Sequence, residues 1–189
     1  APKTINWFLP ALDSPFYGGI NPALRIADHL ARVHGVENRF VLWAHPNDGF
    51  HRSAIAAAFP GLADAPIYCD LSLRAAAGIP ASDVSIATLW VTAFMSAHFA
   101  NTRRKFYLIQ DFEPMFYPAG TMYALAEESY RLGHYGLCNT ENLLRAASGR
   151  GDRSRPVAPA RTPGESAPAY PRTSPARIPA PSRSPQQSR

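Results

Sequence analysis

Asp111 and Glu113 stand one residue apart in the stretch YLIQDFEPMFYPAG, residues 107–120, where an apolar run gives way to two carboxylates, two prolines and three aromatic rings. Carboxylates held at the end of a strand can act as a general base or accept hydrogen bonds from sugar hydroxyls. Pro114 and Pro118 permit a second reading, a rigid turn whose acids cap the backbone that follows. The rings of Phe112, Phe116 and Tyr117 are likewise open to two roles, closing a core or stacking on a sugar.

Other chemistry-bearing residues fall at comparable positions. His45 ends a strand-like run and would titrate near neutrality, which makes it a catalytic candidate. Gly18 and Gly19 precede a helix signal, where free N–H groups and the helix dipole favour a phosphate; a flexible turn is the simpler reading of the same pair. Tyr17 just before them, Trp90 in the Thr88-Leu89-Trp90 segment and Tyr117 are candidates for substrate binding. There is no G-x-G-x-x-G and no G-x-x-x-x-G-K-[ST], so a dinucleotide or P-loop site has little support. His29, His34, His51, His98 and His134 lie in or beside helix-like segments and are expected to be solvated. Arg103, Arg104 and Lys105 are expected to precede a strand as a solvated cluster.

The elements that must position these residues alternate. Ile5–Leu9 reads as a strand. A helix follows, with Asn21 as N-cap, Pro22 at the first helical position and Gly35 as its stop. Phe40–His45 reads as a strand, 50–59 as an Ala-rich helix closed by Pro60-Gly61, and Pro66–Asp70 as a weaker strand. Val84–Trp90 predicts a strand leading into a helix, and Lys105–Gln110 a strand. A helix over 121–132 would group Met122, Leu125, Ala126, Ser129 and Leu132 on one side, with Glu127 and Arg131 paired on the other. A last strand, Tyr135–Thr140, leads to a helix beginning at Glu141. Short apolar strands without alternation, separated by helices, predict an α/β fold: a doubly wound, Rossmann-like parallel sheet covered on both faces. In such a sheet ligands bind beyond the carboxyl ends of the strands. Those ends supply hydroxyls, amides, carboxylates and aromatic faces, a set suited to a polyhydroxylated ligand.

The charge balance looks basic, with 19 Lys and Arg against 14 Asp and Glu, but it is unevenly placed. From Ser148 onward there are eight Arg against Asp152 and Glu165, a net of +6, whereas the first 147 residues carry 11 basic and 12 acidic side chains. The body is therefore not a nucleic-acid binder by charge. Residues 148–189 are rich in Arg, Pro, Ala and Ser and are expected to be disordered. Their abrupt onset is what an out-of-frame reading of GC-rich DNA would give, on which view the natural protein continued into a second half. Cys69 and Cys138 show neither a disulfide framework nor a zinc spacing, which fits reduced thiols and a cytoplasmic setting. No run is long enough to span a membrane and no signal peptide is evident; the missing initiator Met fits processing, trimming or a fragment.

The segments INWFLP, YGGI, LRIADHL, ATLWVTAF and above all the QDFEP-M-FYP block resemble the N-terminal domain of WsaF-type bacterial surface-polysaccharide rhamnosyltransferases, over about residues 3–147. The resemblance implies one half of a GT-B glycosyltransferase, the half that receives the glycan acceptor, with a nucleotide-sugar donor (dTDP-rhamnose) as substrate and neither cofactor nor metal. It places Asp111, Glu113 and Tyr117 at the cleft edge and lets Gly18 and Gly19 approach donor phosphate or acceptor. It leaves peripheral association with the inner membrane surface and the oligomeric state open. This chain, lacking a donor domain, is expected to be inactive alone. A non-catalytic carbohydrate-binding or regulatory module is the rival reading, and a nucleic-acid accessory acting through the tail is a third.

Overall fold

A computed structural model of the chain describes residues 2–11, 14, 18–43, 48–69 and 78–149. Among these residues six parallel strands form one sheet: β1 (Thr4–Leu9), β2 (Glu37–Leu42), β3 (Ile67–Tyr68), β4 (Ser82–Ala87), β5 (Thr102–Ile109) and β6 (Tyr135–Cys138), in the spatial order β3-β2-β1-β4-β5-β6. This is the doubly wound α/β arrangement, and the strand order reverses between β1 and β4. Ile5 pairs with Asn38 on one side and with Val84 on the other.

The central strands are apolar because both of their faces are covered. Trp7, Leu9, Phe40 and Leu42 pack with Ala23, Leu24 and Ala27 of α1 (Ile20–His34) and Ile55 of α2 (Asp48–Ala58). On the opposite face Phe8, Val41, Tyr107 and Ile109 pack with Ala93 of α3 (Trp90–His98), with Tyr130, and with Ala147 of α5 (Glu141–Ser148). Polar pins tie β1, β2 and α1 together: the Trp7 indole donates to Asn38 Oδ1 at 2.8 Å, and Asn38 Nδ2 donates to the carbonyls of Ala27 and Val36, each at 3.0 Å. Each fully buried large side chain of this core contributes about 1.5–3 kcal/mol.

Several expected boundaries move. α1 begins at Ile20 with Gly19 at its N-cap, so Asn21 lies inside the helix and Pro22 in its first turn, where a missing N–H costs nothing. Its end is as expected: Gly35 turns left-handed at φ 63° and its N–H returns to the carbonyls of Leu30 and Ala31. β2 starts at Glu37 and stops at Leu42, leaving Trp43 42 % exposed beyond it. β4 stops at Ala87, and Trp90 opens α3 instead of ending a strand. β5 takes in Arg103, Arg104 and Lys105, because ladder pairing along Ser82–Ser85 outweighs their polarity. The helix after it, α4 (Thr121–Glu128), gives way to a 3-10 turn at Ser129–Arg131. Only part of its expected apolar side is buried, since Met122 and Leu125 remain exposed while Ala126 and Ser129 face inward. Arg131 pairs with Glu128 at 2.9 Å.

Two histidines depart from solvation: His51 is 2 % and His134 6 % exposed. Neither ring nitrogen of His134 has a hydrogen-bond partner, and its pKa falls to about 4 through burial and the neighbouring Lys105. No helix among the described residues is long and apolar enough to cross a membrane.

Candidate functional site

At the carboxyl edge of the sheet, where the strand order reverses, an open cleft of about 590 Å³ forms. Its walls come from the ends of four strands. Pro10 follows β1, Thr88 and Leu89 follow β4, Gln110, Asp111 and Glu113 follow β5, and Asn139 follows β6. Gly18, Gly19, Ile20 and Pro22 bring the start of α1 to the same space, and Phe116 closes one side.

The floor is cross-braced. Gln110 Nε2 donates to the Gly19 carbonyl at 2.7 Å, and Asn139 Nδ2 donates to the Gln110 carbonyl at 3.3 Å. The backbone of Gly19 lies so near this amide that a Cβ there would sit 3.2 Å from Gln110 Nε2. Thr88 Oγ1 donates to the Phe8 carbonyl at 3.4 Å across the β1–β4 seam. Gly19, the N-cap of α1, has no side chain with which to cap the helix N-terminus.

The two acids have different surroundings. Asp111 is exposed at the rim, and its Oδ1 accepts from the Phe112 N–H at 2.7 Å, which leaves its outer edge toward the cleft. Glu113 is 3 % exposed at the start of a 3-10 turn, Glu113–Phe116. Its Oε2 accepts from the Trp90 N–H at 2.7 Å, at the N-terminus of α3, and its Oε1 accepts from the Tyr107 hydroxyl at 2.9 Å. Burial raises its pKa to about 7, against the lowering pull of those two donors. The helix N-terminus thus receives a carboxyl from another loop, the capping geometry that the proline-bounded turn allows. Thr92 completes the cap from within, accepting from the N–H groups of Thr88 and Leu89 at 3.1 and 3.0 Å.

Aromatic rings hold this turn in place. Tyr107, Tyr130 and Phe112 form a stacked ladder with centroids 5.7 and 5.9 Å apart. The Tyr130 hydroxyl accepts from the Glu113 N–H at 3.1 Å and donates to the Asp111 carbonyl at 3.4 Å. Burial pushes both the Tyr107 and Tyr130 hydroxyls above their ordinary pKa. Trp90 is 7 % exposed, and its indole donates to the Tyr117 hydroxyl at 2.9 Å. Phe116, 56 % exposed, is the ring of this turn that reaches the cleft.

Of the residues singled out in the sequence, the cleft therefore gathers Gly18, Gly19, Asp111 and Glu113, with Trp90 and Tyr117 joined behind its wall. His45 and Tyr17 lie outside the described residues. Gln110, Thr88 and Asn139, which belong to the polar set expected at the strand ends without a role of their own, line the floor. Their signal was position alone: each stands one or two residues after an apolar strand run.

The model of the WsaF N-terminal domain family matches residues 4–140, which takes in the sheet and all four strand ends that build the cleft. The chain belongs to this family of WsaF N-terminal domains. It is also similar to the O-antigen biosynthesis protein RfbC of Myxococcus xanthus, 38 % identical over 153 residues, which are 78 % of this chain and 12 % of that protein. The chain thus spans about an eighth of the length of that curated relative, and in a WsaF-type domain the cleft is built wholly within the matched stretch.

Proposed function

We propose that this WsaF-type domain is the acceptor-side part of a glycosyltransferase of surface-polysaccharide biosynthesis. The observation that carries the reading is the switch-point cleft, in which an exposed carboxylate, two amides, a hydroxyl and an apolar ring converge on one space. That combination suits a sugar, whose hydroxyls take hydrogen bonds and whose ring faces take an aromatic side chain. The relative's name, an O-antigen biosynthesis protein, points to the same class of product. In this reading Asp111 accepts from an acceptor hydroxyl, while Gln110 and Asn139 fix its orientation. Glu113 positions the turn that carries Asp111 and Phe116. The start of α1 at Gly18 and Gly19 supplies N–H groups for the donor diphosphate. A nucleotide-sugar, with dTDP-rhamnose as the first candidate, would be held mainly by a second domain facing this cleft in the GT-B manner. His45 as a catalytic residue and Tyr17 as a substrate-binding one stay proposals.

Accessibility of a single acid also supports a binding role without chemistry for the domain alone, since both Glu113 oxygens are already engaged. Calorimetry of this chain with rhamnose-containing oligosaccharides, with and without dTDP-rhamnose, tests the reading. Glycan binding lost at least about tenfold in Asp111→Asn supports it, a hydrogen bond to a charged group being worth about 1.5–3 kcal/mol. Wild-type binding that survives the substitution unchanged would place the glycan elsewhere.

A further inference from the structure

The edge of the sheet opposite the cleft carries a second groove, of about 260 Å³, lined by Pro2, Asp83, Val84, Arg103 and Arg104. Both arginines belong to the opening residues of β5 and both are exposed. The Arg103 side chain is 83 % exposed and stands 3.8 Å from Asp83 Oδ1. The other oxygen of Asp83 accepts from the N–H groups of Lys3 and Thr4, at 2.8 and 3.3 Å. Exposed Lys3 adds to the positive charge, because it leads into β1 at this same edge. Of the other acids at this edge, Glu37 is paired with Arg39 at 2.7 Å, and exposed Asp64 stands apart, ahead of β3. Around the groove itself Lys3, Arg103 and Arg104 outnumber Asp83, which gives it a local positive surplus.

Exposed apolar groups stand among these charges. Tyr135, at the start of β6, is 40 % exposed and leans on Phe106 with ring centroids 5.4 Å apart. Phe106 shares a strand face with Arg104, two residues away. Val33, 56 % exposed, lies in the last turn of α1 at the same edge. α3 and α5 pack on the other face of the sheet, so they do not cover this side. Arginine and lysine around an exposed tyrosine and valine make the composition of a surface that lies in a bilayer interface.

We propose that this edge docks on an anionic phospholipid surface, with headgroup phosphates on Arg103 and Arg104 and with Tyr135 and Val33 entering the interfacial layer. Lipid fits better than a polynucleotide, because the basic groups gather about one edge and do not track along a groove interleaved with stacking rings. The strands then stand upright on the membrane, and the cleft opens about 20 Å away from it, the length of a six-residue strand. The proposal is independent of any reading of the cleft.

The eight arginines from Ser148 onward would themselves attract anionic lipid, so the test uses the full-length chain with those eight replaced by Gln. Co-sedimentation with phosphatidylglycerol-containing vesicles and with pure phosphatidylcholine vesicles, at low salt, should show binding to the first alone. Adding Arg103→Gln and Arg104→Gln should weaken that binding about 25-fold, each basic group near the surface counting for about fivefold. Lys3→Gln is a second variant with no bearing on the β5 ladder and should weaken it about fivefold. Millimolar inorganic phosphate should leave the vesicle-bound fraction unchanged. Binding that is unaltered by the β5 substitutions, binding that phosphate abolishes, or no binding once the tail is neutral would each overturn the proposal.

Discussion

Replacing Glu113 by Gln should change how the stability of the domain depends on pH. Gln keeps the shape of the protonated acid, with an oxygen for the Trp90 N–H and an amide for the Tyr107 hydroxyl. Burial lifts the Glu113 pKa from 4.5 to about 7, so the folded state holds a proton that the unfolded state releases. The stabilisation this gives is fully present below pH 4.5 and is lost as pH rises through about 7. At about 1.4 kcal/mol per pH interval, its total is about 3 kcal/mol. His134 works in the contrary sense: its pKa falls from 6.5 to about 4, so its contribution is present above 6.5 and is lost as pH drops toward 4. The two windows overlap, and the wild-type profile should be nearly flat between them. The difference between wild type and Glu113→Gln removes the histidine and isolates the acid. Urea unfolding, followed by tryptophan fluorescence at closely spaced values from pH 4.5 to 8.5, should show the variant gaining about 3 kcal/mol on wild type across that range. A flat difference, or wild type gaining instead, would mean that the helix N-terminus and the Tyr107 hydroxyl stabilise the ionised carboxylate more than burial penalises it.

His134→Phe should abolish the acid-side loss, leaving a protein whose stability falls steadily as pH rises through 7; a profile identical to wild type would show that the imidazole finds water or a partner on protonation. Trp90→Phe removes the donor to the Tyr117 hydroxyl and should cost about 1 kcal/mol in chemical denaturation, with cleft binding weakened more than a loss of packing explains. Gly61→Ala places a Cβ 2.6 Å from Asp28 Oδ1 and must displace the carboxylate from Arg32, at a cost of about 1–3 kcal/mol visible in the same titrations.

The fold was legible because the apolar runs at residues 5–9, 84–87 and 106–109 have little alternation, as strands covered on both faces do. Strand order was not legible as such. It rests on β1 pairing with β4, a contact between distant parts of the chain that no local pattern announces. Boundaries slipped where pairing overrides local preference: Arg103 and Arg104 read as a polar lead-in and proved to be ladder residues opposite Asp83 and Val84. Asp111 and Glu113 could be found by type, but not told apart. What separates them is an N–H of α3 and the Tyr107 hydroxyl, both brought to Glu113 by tertiary packing. Buried His134 escaped for the related reason that a histidine beside a glycine turn has the sequence appearance of a solvated one.

The seam between β1 and β4 also sets a timetable for folding. β1 can pair with β2 as soon as the first third of the chain exists, yet its other edge must wait for Val84–Ala87. Until then the backbone groups of an apolar strand, INWFL, lie open along one side, an invitation to pair with the wrong partner. Closing that long loop is the slow, entropy-limited step. The growing polypeptide therefore passes through an interval in which this largely apolar strand is half-paired. Any substitution that delays docking of β4 should show first as aggregation during synthesis, before it shows as lost stability in the finished protein.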